Sequence, residues 1–484
     1  MKTIRVIACA CAVAASVITG CAARPDAQRG GFSSVRQITH DRTGGARIAW
    51  RAGGPADAQV TREVDAMLAQ PLGPDQAVQI ALLAHPKLQA EYEHLGVAQA
   101  DLVAAGLLRN PVFSAMARWP SGGGGPNVEI GVAADFLDVL FIGARKRIAA
   151  AEFEHEKLNV ADAVVAHAAE VRAAFYQVQG ARQMLELRRT VLSAEEAAAE
   201  TAQRMLAAGN ISQLDADREQ AMLEQSRVEL FDAEADARQK LERLAAAMGM
   251  PGRIERLQIP DRLPAPPGGD EALDDLVDRA LEQRLDLAAA KQETVALEHS
   301  VGLTRRTALV NEAEVGVSTE RDPEGGSGRV TGPNISIPLP IFDFGQARVA
   351  SARHRVAESR RLEQALAQQA RSDVRIAYAD MTAARRRFEH FRDHVLPLRQ
   401  RIVQQSQLHY NAMLLGVFEL LEAKQNEIDA GREYVAALTD YWTSRAELER
   451  AVGGRVAATA PSTQPTTIPA ASQPAMPDNM HHHH

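Results

Sequence analysis

The chain has 484 residues, enough for two or more domains. Its formal net charge of -8 removes the electrostatic basis for a nucleic-acid partner, and aromatics at 4% beside abundant Ala, Leu, Glu, Gln and Arg favour long helices. After Gly20 there is no run of about 18 apolar residues, so a passage through a bilayer would need a closed β-barrel.

Residues 1–20 read as a secretory signal peptide, with Lys2 and Arg5 ahead of a short apolar stretch. The stretch ends in Ile18-Thr19-Gly20-Cys21, which resembles the bacterial lipobox, so Cys21 is expected to be lipidated and to become the new N-terminus. Cys9 and Cys11 fall inside the peptide, leaving Cys21 as the lone mature thiol; an oxidising compartment would favour paired cysteines. Ala22 follows where an inner-membrane retention signal would place Asp, which points to the outer membrane. Residues 21–71 then form a lipidated N-terminal segment, read as a tether and outer wrap.

The rest is a duplicated unit: residues 72–250, a Pro/Gly-rich linker at 251–270, residues 271–453, and a Pro/Thr/Ala/Ser-rich tail at 454–484 that reads as disordered. "AHPKLQAEYE" corresponds to "QRLDLAAAKQ", and "EVRAAFYQVQGARQ" to "DVRIAYADMTAARR", with Arg172 falling on Arg375. "AAGNISQLDAD" is matched to "LLGVFELLEAK". Each copy runs helix, two strands, a very long helix, a turn led by Gly209 or Gly416, and a return helix.

Four stretches alternate with period two: "PVFSAMARW", "VEIGVAADF", "NEAEVGVSTE" and "NISIPLPI". In the second, Val128, Ile130, Val132, Ala134 and Phe136 share a face opposite Glu129 and Asp135. Each run is roughly the nine to eleven residues of a tilted membrane strand. The strands pair around "SGGGGP" and "RDPEGGSG", read as exposed flexible hairpin ends. Four strands cannot close a barrel, since the smallest membrane barrels have about eight, and an open edge is not tolerated in lipid. Several copies must then build the barrel together, with the apolar face toward lipid and the carboxylates toward a watery lumen.

The long helices are expected from near Ala144 and near Ala347. From Ala144 to Ala207 an unbroken helix would run roughly 95 Å. The second carries a heptad seam at Val374, Ala377, Met381, Ala384, Phe388, Phe391, Val395, Leu398 and Ile402, which Pro397 should kink or loosen. The first has a looser seam: Leu158, Ala161, Val165, Ala168, Val171, Phe175 and Val178.

This chain resembles the TolC-like outer membrane factor family over about Leu72 to Gly453. The resemblance rests on the duplicated unit, the lipobox, "AGLLRNP" (Ala105 to Pro111), "PLPIFDFGQAR" (Pro338 to Arg348) and the two Gly-led turns. It implies a mainly α fold with a small β part: a homotrimeric outer-membrane β-barrel, four strands per chain, continued by a long periplasmic α-helical coiled-coil barrel. It implies a passive exit duct anchored in outer-membrane lipid, docked to a periplasmic adaptor (membrane fusion) protein and an inner-membrane pump of the RND type, with no cofactor. It also places Gly209 and Gly416 at the periplasmic tip and an acidic ring at the periplasmic aperture. Glu419 and Glu422 in "GVFELLEAK" are the candidates, with Asp215 as the first-repeat counterpart of Glu422. A threefold-copied carboxylate would favour cations; the same acids also fit an ordinary solvated helix face.

No catalytic motif of the HExxH, GxSxG, Walker or CxxC type occurs, so an enzyme is not expected. His390 and His394, spaced i,i+4, fit a metal pair or a surface polar pair. His481, His482, His483 and His484 fit either a metal-binding tract or a truncated tag. The context of "AGLLRNP" resembles the heavy-metal branch of the family, the CzcC-like and CusC-like proteins. Export of drugs or other small organic compounds stays open, as does a non-conducting, lipid-tethered coiled-coil scaffold.

Overall fold

A computed structural model describes residues 30–457 apart from 52, 120, 122–124, 311 and 322–328. Cys21 and His481 to His484 lie outside the described residues, as do three of the six residues of the first hairpin end and seven of the eight of the second. The chain divides into two compact units, considered as far as they are described. One comprises Met1–Val35, Tyr92–Leu158 and Ala289–Leu362; the other comprises Arg36–Glu91, Asn159–Ala288 and Glu363–His484.

In chain order, α1 (Phe32–Thr43) and α2 (Pro55–Leu68) precede the first repeat. That repeat runs α3 (Pro74–Ala84), α4 (Pro86–Ala105), β1 (Val112–Arg118), β2 (Asn127–Asp135), α5 (Phe136–Ala207) and α6 (Gln213–Ala247). The second runs α7 (Leu273–Gln283), α8 (Leu285–Arg306), β3 (Glu314–Arg321), β4 (Arg329–Ser336), α9 (Gln346–His390), a π-helical turn (Phe391–Val395), α10 (Leu396–Asn411) and α11 (Val417–Val452). The fold is mainly α with a small β part, and its internal duplication reaches single residues. His85 and Arg284 both interrupt the helices at the α3/α4 and α7/α8 junctions in extended conformation. A glycine with positive φ closes against each: a Cβ on Gly249 would sit 2.8 Å from the His85 Cα, and one on Gly453 would sit 3.1 Å from the Arg284 Cα. Only glycine satisfies both the φ and the close approach.

In the unit that holds the sheet, α5 begins at Phe136, directly after β2, rather than near Ala144. Asp138 in its first turn accepts from Arg145 at 2.5 Å and pairs with Arg109 at 3.4 Å, which also reaches Asp135 at 3.7 Å. The arginine of "AGLLRNP" therefore ties the entry to β1 to the β2–α5 junction. Gly345 of "FDFG" has φ +77 and packs so closely on Ala308 that a Cβ would meet its carbonyl at 2.6 Å; Arg348 donates to that carbonyl at 3.0 Å. Strand β4 ends at Ser336, so Ile337, Leu339 and Ile341 lie beyond it, contrary to the reading of "NISIPLPI" as strand throughout. Pro338 and Pro340 have no N–H for a ladder, and the chain leaves the sheet there.

In the helical unit the first seam packs as its spacing indicates: Ala161, Val165, Ala168, Val171, Phe175 and Val178 are buried. The second is buried from Val374 to Phe388 and then fails, with Leu398 49% exposed and Ile402 also out of the core. The cause is the π-helical turn, in which the Leu396 N–H donates to the Phe391 carbonyl, five residues back. Pro397 cannot donate to the carbonyl four residues back, and its ring would collide with it. The wider turn accommodates the ring, and its extra residue rotates the following side chains off the seam.

The linker is pinned rather than loose. Trp442 donates to the Pro264 carbonyl at 2.8 Å, Gln179 to those of Pro260 and Arg262, and Arg385 grips Asp270 with two bonds of 2.7 and 2.8 Å. The N-terminal segment is held too: Arg42 donates to the Gln283 carbonyl at 3.3 Å, and Asp65 on α2 accepts from Arg256 at 2.8 Å.

Candidate functional site

The sheet order is β1-β2-β3-β4, all antiparallel. Registers align the apolar positions into continuous rows. Phe113 pairs with Val132, Val132 with Val317, and Val317 with Pro333; Ala134, Val315 and Ile335 form the next row. These residues face outward, with Phe113 66% and Val317 57% exposed. The opposite face carries Ser114, Gly131, Ser318 and Gly332 in one row, and Met116, Glu129, Glu320 and Val330 in another. There Arg118 pairs with Glu129 at 2.9 Å, and Asn127 donates to Glu320 at 2.6 Å. One sheet thus has an exposed face that is apolar in its Val317 and Val315 rows and carries Thr319, Thr331, Arg321 and Arg329 toward the β3–β4 hairpin end. It has an opposite face of small and charged residues with Met116 and Val330, and two outer strands, β1 and β4, each with a free edge among the described residues. Water tolerates neither a large apolar face nor a free edge well.

The helical unit holds the two hairpin turns. After α5, Asn210 N–H donates to the Met205 carbonyl and Gly209 N–H to that of Leu206, both at 2.9 Å, with Gly209 at φ +72. After α10, Leu414 N–H donates to the His409 carbonyl and Met413 N–H to that of Tyr410, again at 2.9 Å. The residue that takes the left-handed position here is Met413, at φ +57, and not Gly416. Gly416, at φ -75, is the N-cap of α11, the place that Ser212 takes on α6.

This alignment re-pairs the candidate acids. Asp215 and Glu419 are both the third helical residue, so Asp215 corresponds to Glu419 rather than to Glu422. Both are engaged in capping. Asp215 N–H donates to Ser212 Oγ at 3.2 Å, and the Ser212 hydroxyl donates to Asp215 Oδ2 at 2.7 Å. Glu419 Oε2 accepts from the Gly416 N–H at 2.8 Å. Such acids also suit the positive end of the helix dipole. Glu422 is exposed, and among the described residues its carboxylate has no hydrogen bond or ion pair; only its backbone carbonyl is used, by Asn426. Around these turns Met413 is 94% exposed, with Leu414 and Leu214 also bare.

Sequence reasoning missed the buried carboxyls of this unit. Burial, reinforced by the charge of Asp286, pushes Asp162 up to about 6. Burial raises Glu219, and burial with the charge of Glu219 raises Glu195; Glu219 Oε2 is buried without a hydrogen-bond partner among the described residues. No sequence spacing marks these groups, because the partners come from distant helices. Among the described residues no three His, Cys, Asp or Glu side chains cluster to hold a metal, and no helix is long and apolar enough to cross a membrane.

Comparison with known proteins supplies the family. The outer membrane efflux protein family matches residues 77–250 and 276–454, once for each repeat. The chain belongs to this family. As an outer membrane efflux protein it is a channel component of the outer membrane and not an enzyme. The cobalt-zinc-cadmium resistance protein CzcC of Cupriavidus metallidurans is 23% identical over 287 residues, covering 59% of this chain and 67% of CzcC. The solved outer-membrane channel OprN superposes with a TM-score of 0.65 at 19% identity, covering 86% of this chain and 95% of OprN. CusC, solved in a study of transmembrane channel formation, gives 0.65 at 16% identity, covering 86% of this chain and 96% of CusC. Those two superpositions establish the shared fold.

Proposed function

We propose that three copies of this efflux protein close one outer-membrane duct, anchored by lipid at Cys21, and that the duct serves a tripartite system exporting heavy-metal cations. The observation that carries this reading is the four-stranded sheet with two free edges and an apolar outer face. Three such sheets supply twelve strands, above the roughly eight of the smallest membrane barrels, and remove every edge.

The duplication supports the same assembly in the helical unit. Helix α5 of the first repeat packs on α11 of the second: Arg172 pairs with Glu449 at 2.8 Å, and Tyr176 stacks on Trp442 at 4.8 Å. The equivalent contact would join α9 to α6. Its two faces stay bare in one chain, with Arg375 and Ile376 exposed on α9 and Val228 and Phe231 on α6. A neighbouring copy completes it by a head-to-tail contact that closes a ring.

In such a duct Glu422 would line the periplasmic aperture, since its carboxylate is free while Asp215 and Glu419 serve their caps. The exposed Met413, Leu414 and Leu214 suit an apolar contact with a periplasmic adaptor, and an inner-membrane RND pump would supply the energy. The metal assignment follows the likeness to CzcC, a protein named for cobalt, zinc and cadmium resistance. Deleting the gene and comparing growth on graded divalent metals with growth on antibiotics, dyes and detergents tests the reading. Hypersensitivity confined to metals is expected; hypersensitivity confined to organic compounds would reassign the substrate.

A further inference from the structure

We propose that His390 and His394 form a two-imidazole chelate for borderline divalent transition metals such as Cu2+, Ni2+ and Zn2+, built on the π-helical turn Phe391–Val395. The two rings stand 5.2 Å apart, centroid to centroid, at 46°. With metal–nitrogen bonds of about 2.0–2.1 Å and a near-tetrahedral angle, two imidazoles on one ion have centroids roughly 5 Å apart. The pair already has that separation, and both side chains are exposed. Neither ring takes part in a hydrogen bond or salt bridge among the described residues, so its nitrogens are open to a ligand.

The surroundings keep the site two-coordinate. Asp393 is bound twice by Arg392, at 2.7 and 2.8 Å, and Glu389 is drawn to Arg385 at 3.6 Å. Both nearby carboxylates are thus engaged by arginines, leaving water for the remaining positions on the ion. Two imidazoles without carboxylates select Cu2+, Ni2+ and Zn2+ over Mg2+ and Ca2+, with Cu2+ the tightest.

The duplication shows that the shared scaffold does not require this pair. At the interval that carries Arg172 onto Arg375, His390 and His394 fall on Leu187 and Val191. There α5 runs without a π-helical turn, and Val191 is buried. The second repeat replaces an apolar pair with two exposed imidazoles at the point where Pro397 opens the helix. An ion bridging the rings would pin that wide turn. The chelate does not depend on which compounds the duct exports.

The test uses the full chain with His481 to His484 replaced by Ala in every sample, because a His tract binds the same metals. Cu2+ binding is followed by equilibrium dialysis and electron paramagnetic resonance at pH 7.5. The expected result is one equivalent of Cu2+ per chain with hyperfine coupling to two nitrogens, both lost in His390→Gln and in His394→Gln. Loading should fall as acid is added, because a protonated imidazole nitrogen has no lone pair for the metal. Zn2+ should slow amide exchange across Phe391–Val395 only when both histidines are present. Unchanged Cu2+ loading in the double variant, or a wild-type signal without two nitrogen ligands, would overturn the proposal.

Discussion

Residues near the hairpin turns divide by what their neighbours ask of them. Glu419 accepts from the Gly416 N–H at the α11 N-terminus, whereas on α6 Ser212 caps the Asp215 N–H and the Asp215 carboxylate accepts from the Ser212 hydroxyl. Glu419→Ala should therefore cost about 0.3–1.5 kcal/mol of local stability, read as faster amide exchange in the first turn of α11. Glu422→Ala should leave that turn intact and lower the cation selectivity of the pore in bilayer recordings. A selectivity loss from Glu419→Ala alone would reverse these roles. Asp162 permits a pH test. Its carboxyl moves from 3.8 to about 6 on folding, so ionisation opposes the fold, and the cost appears as pH rises through this window. On full ionisation such a shift corresponds to about 3 kcal/mol, reduced by solvent screening to roughly 1–2. Asp162→Asn should raise Tm at pH 8, with the gain vanishing below about pH 4. The nearness of Asp215, Glu419 and Glu422 to a turn was legible in the sequence, but counting from glycine pairs Asp215 with Glu422 rather than Glu419, because Gly416 is an N-cap and not the left-handed residue. Asp162, Glu195 and Glu219 were not legible, because burial by distant helices creates their properties.

Elements were legible where one local rule governs them. Period-two alternation found β1, β2 and most of β3 but only the last three residues of β4, and the register then set Phe113, Val132 and Val317 on a single face. Local rules failed where two effects compete. The heptad from Val374 to Ile402 is unbroken on paper, yet Pro397 forces a π-helical turn that rotates Leu398 and Ile402 away. Pro397→Ala restores the missing donor and removes the ring clash. Amide exchange across Phe391–Val395 should then slow several-fold, and unchanged exchange would mean that the wide turn has another cause. The second hairpin misled for a related reason. Residue type pairs Gly416 with Gly209, whereas the backbone bonds match Met413 to Gly209 and Gly416 to Ser212. Glycine serves both as a left-handed residue and as an N-cap, and only the hydrogen bonds separate the two.

At the scale of the whole molecule, one chain leaves the same kind of vacancy in each unit. The sheet has free edges at β1 and β4, and the helical unit has bare faces on α6 and α9 whose repeat equivalents are packed. In the proposed trimer both are completed by neighbouring copies related by rotation. Arg375→Glu combined with Phe231→Asp places a carboxylate on each bare face and should shift detergent-extracted protein from trimer toward monomer without lowering the helical content. The most direct test is the native mass of the full chain extracted from outer membranes in detergent. A heat-stable species of three copies is expected. A monomer that retains its folded sheet in detergent would contradict the proposed trimer.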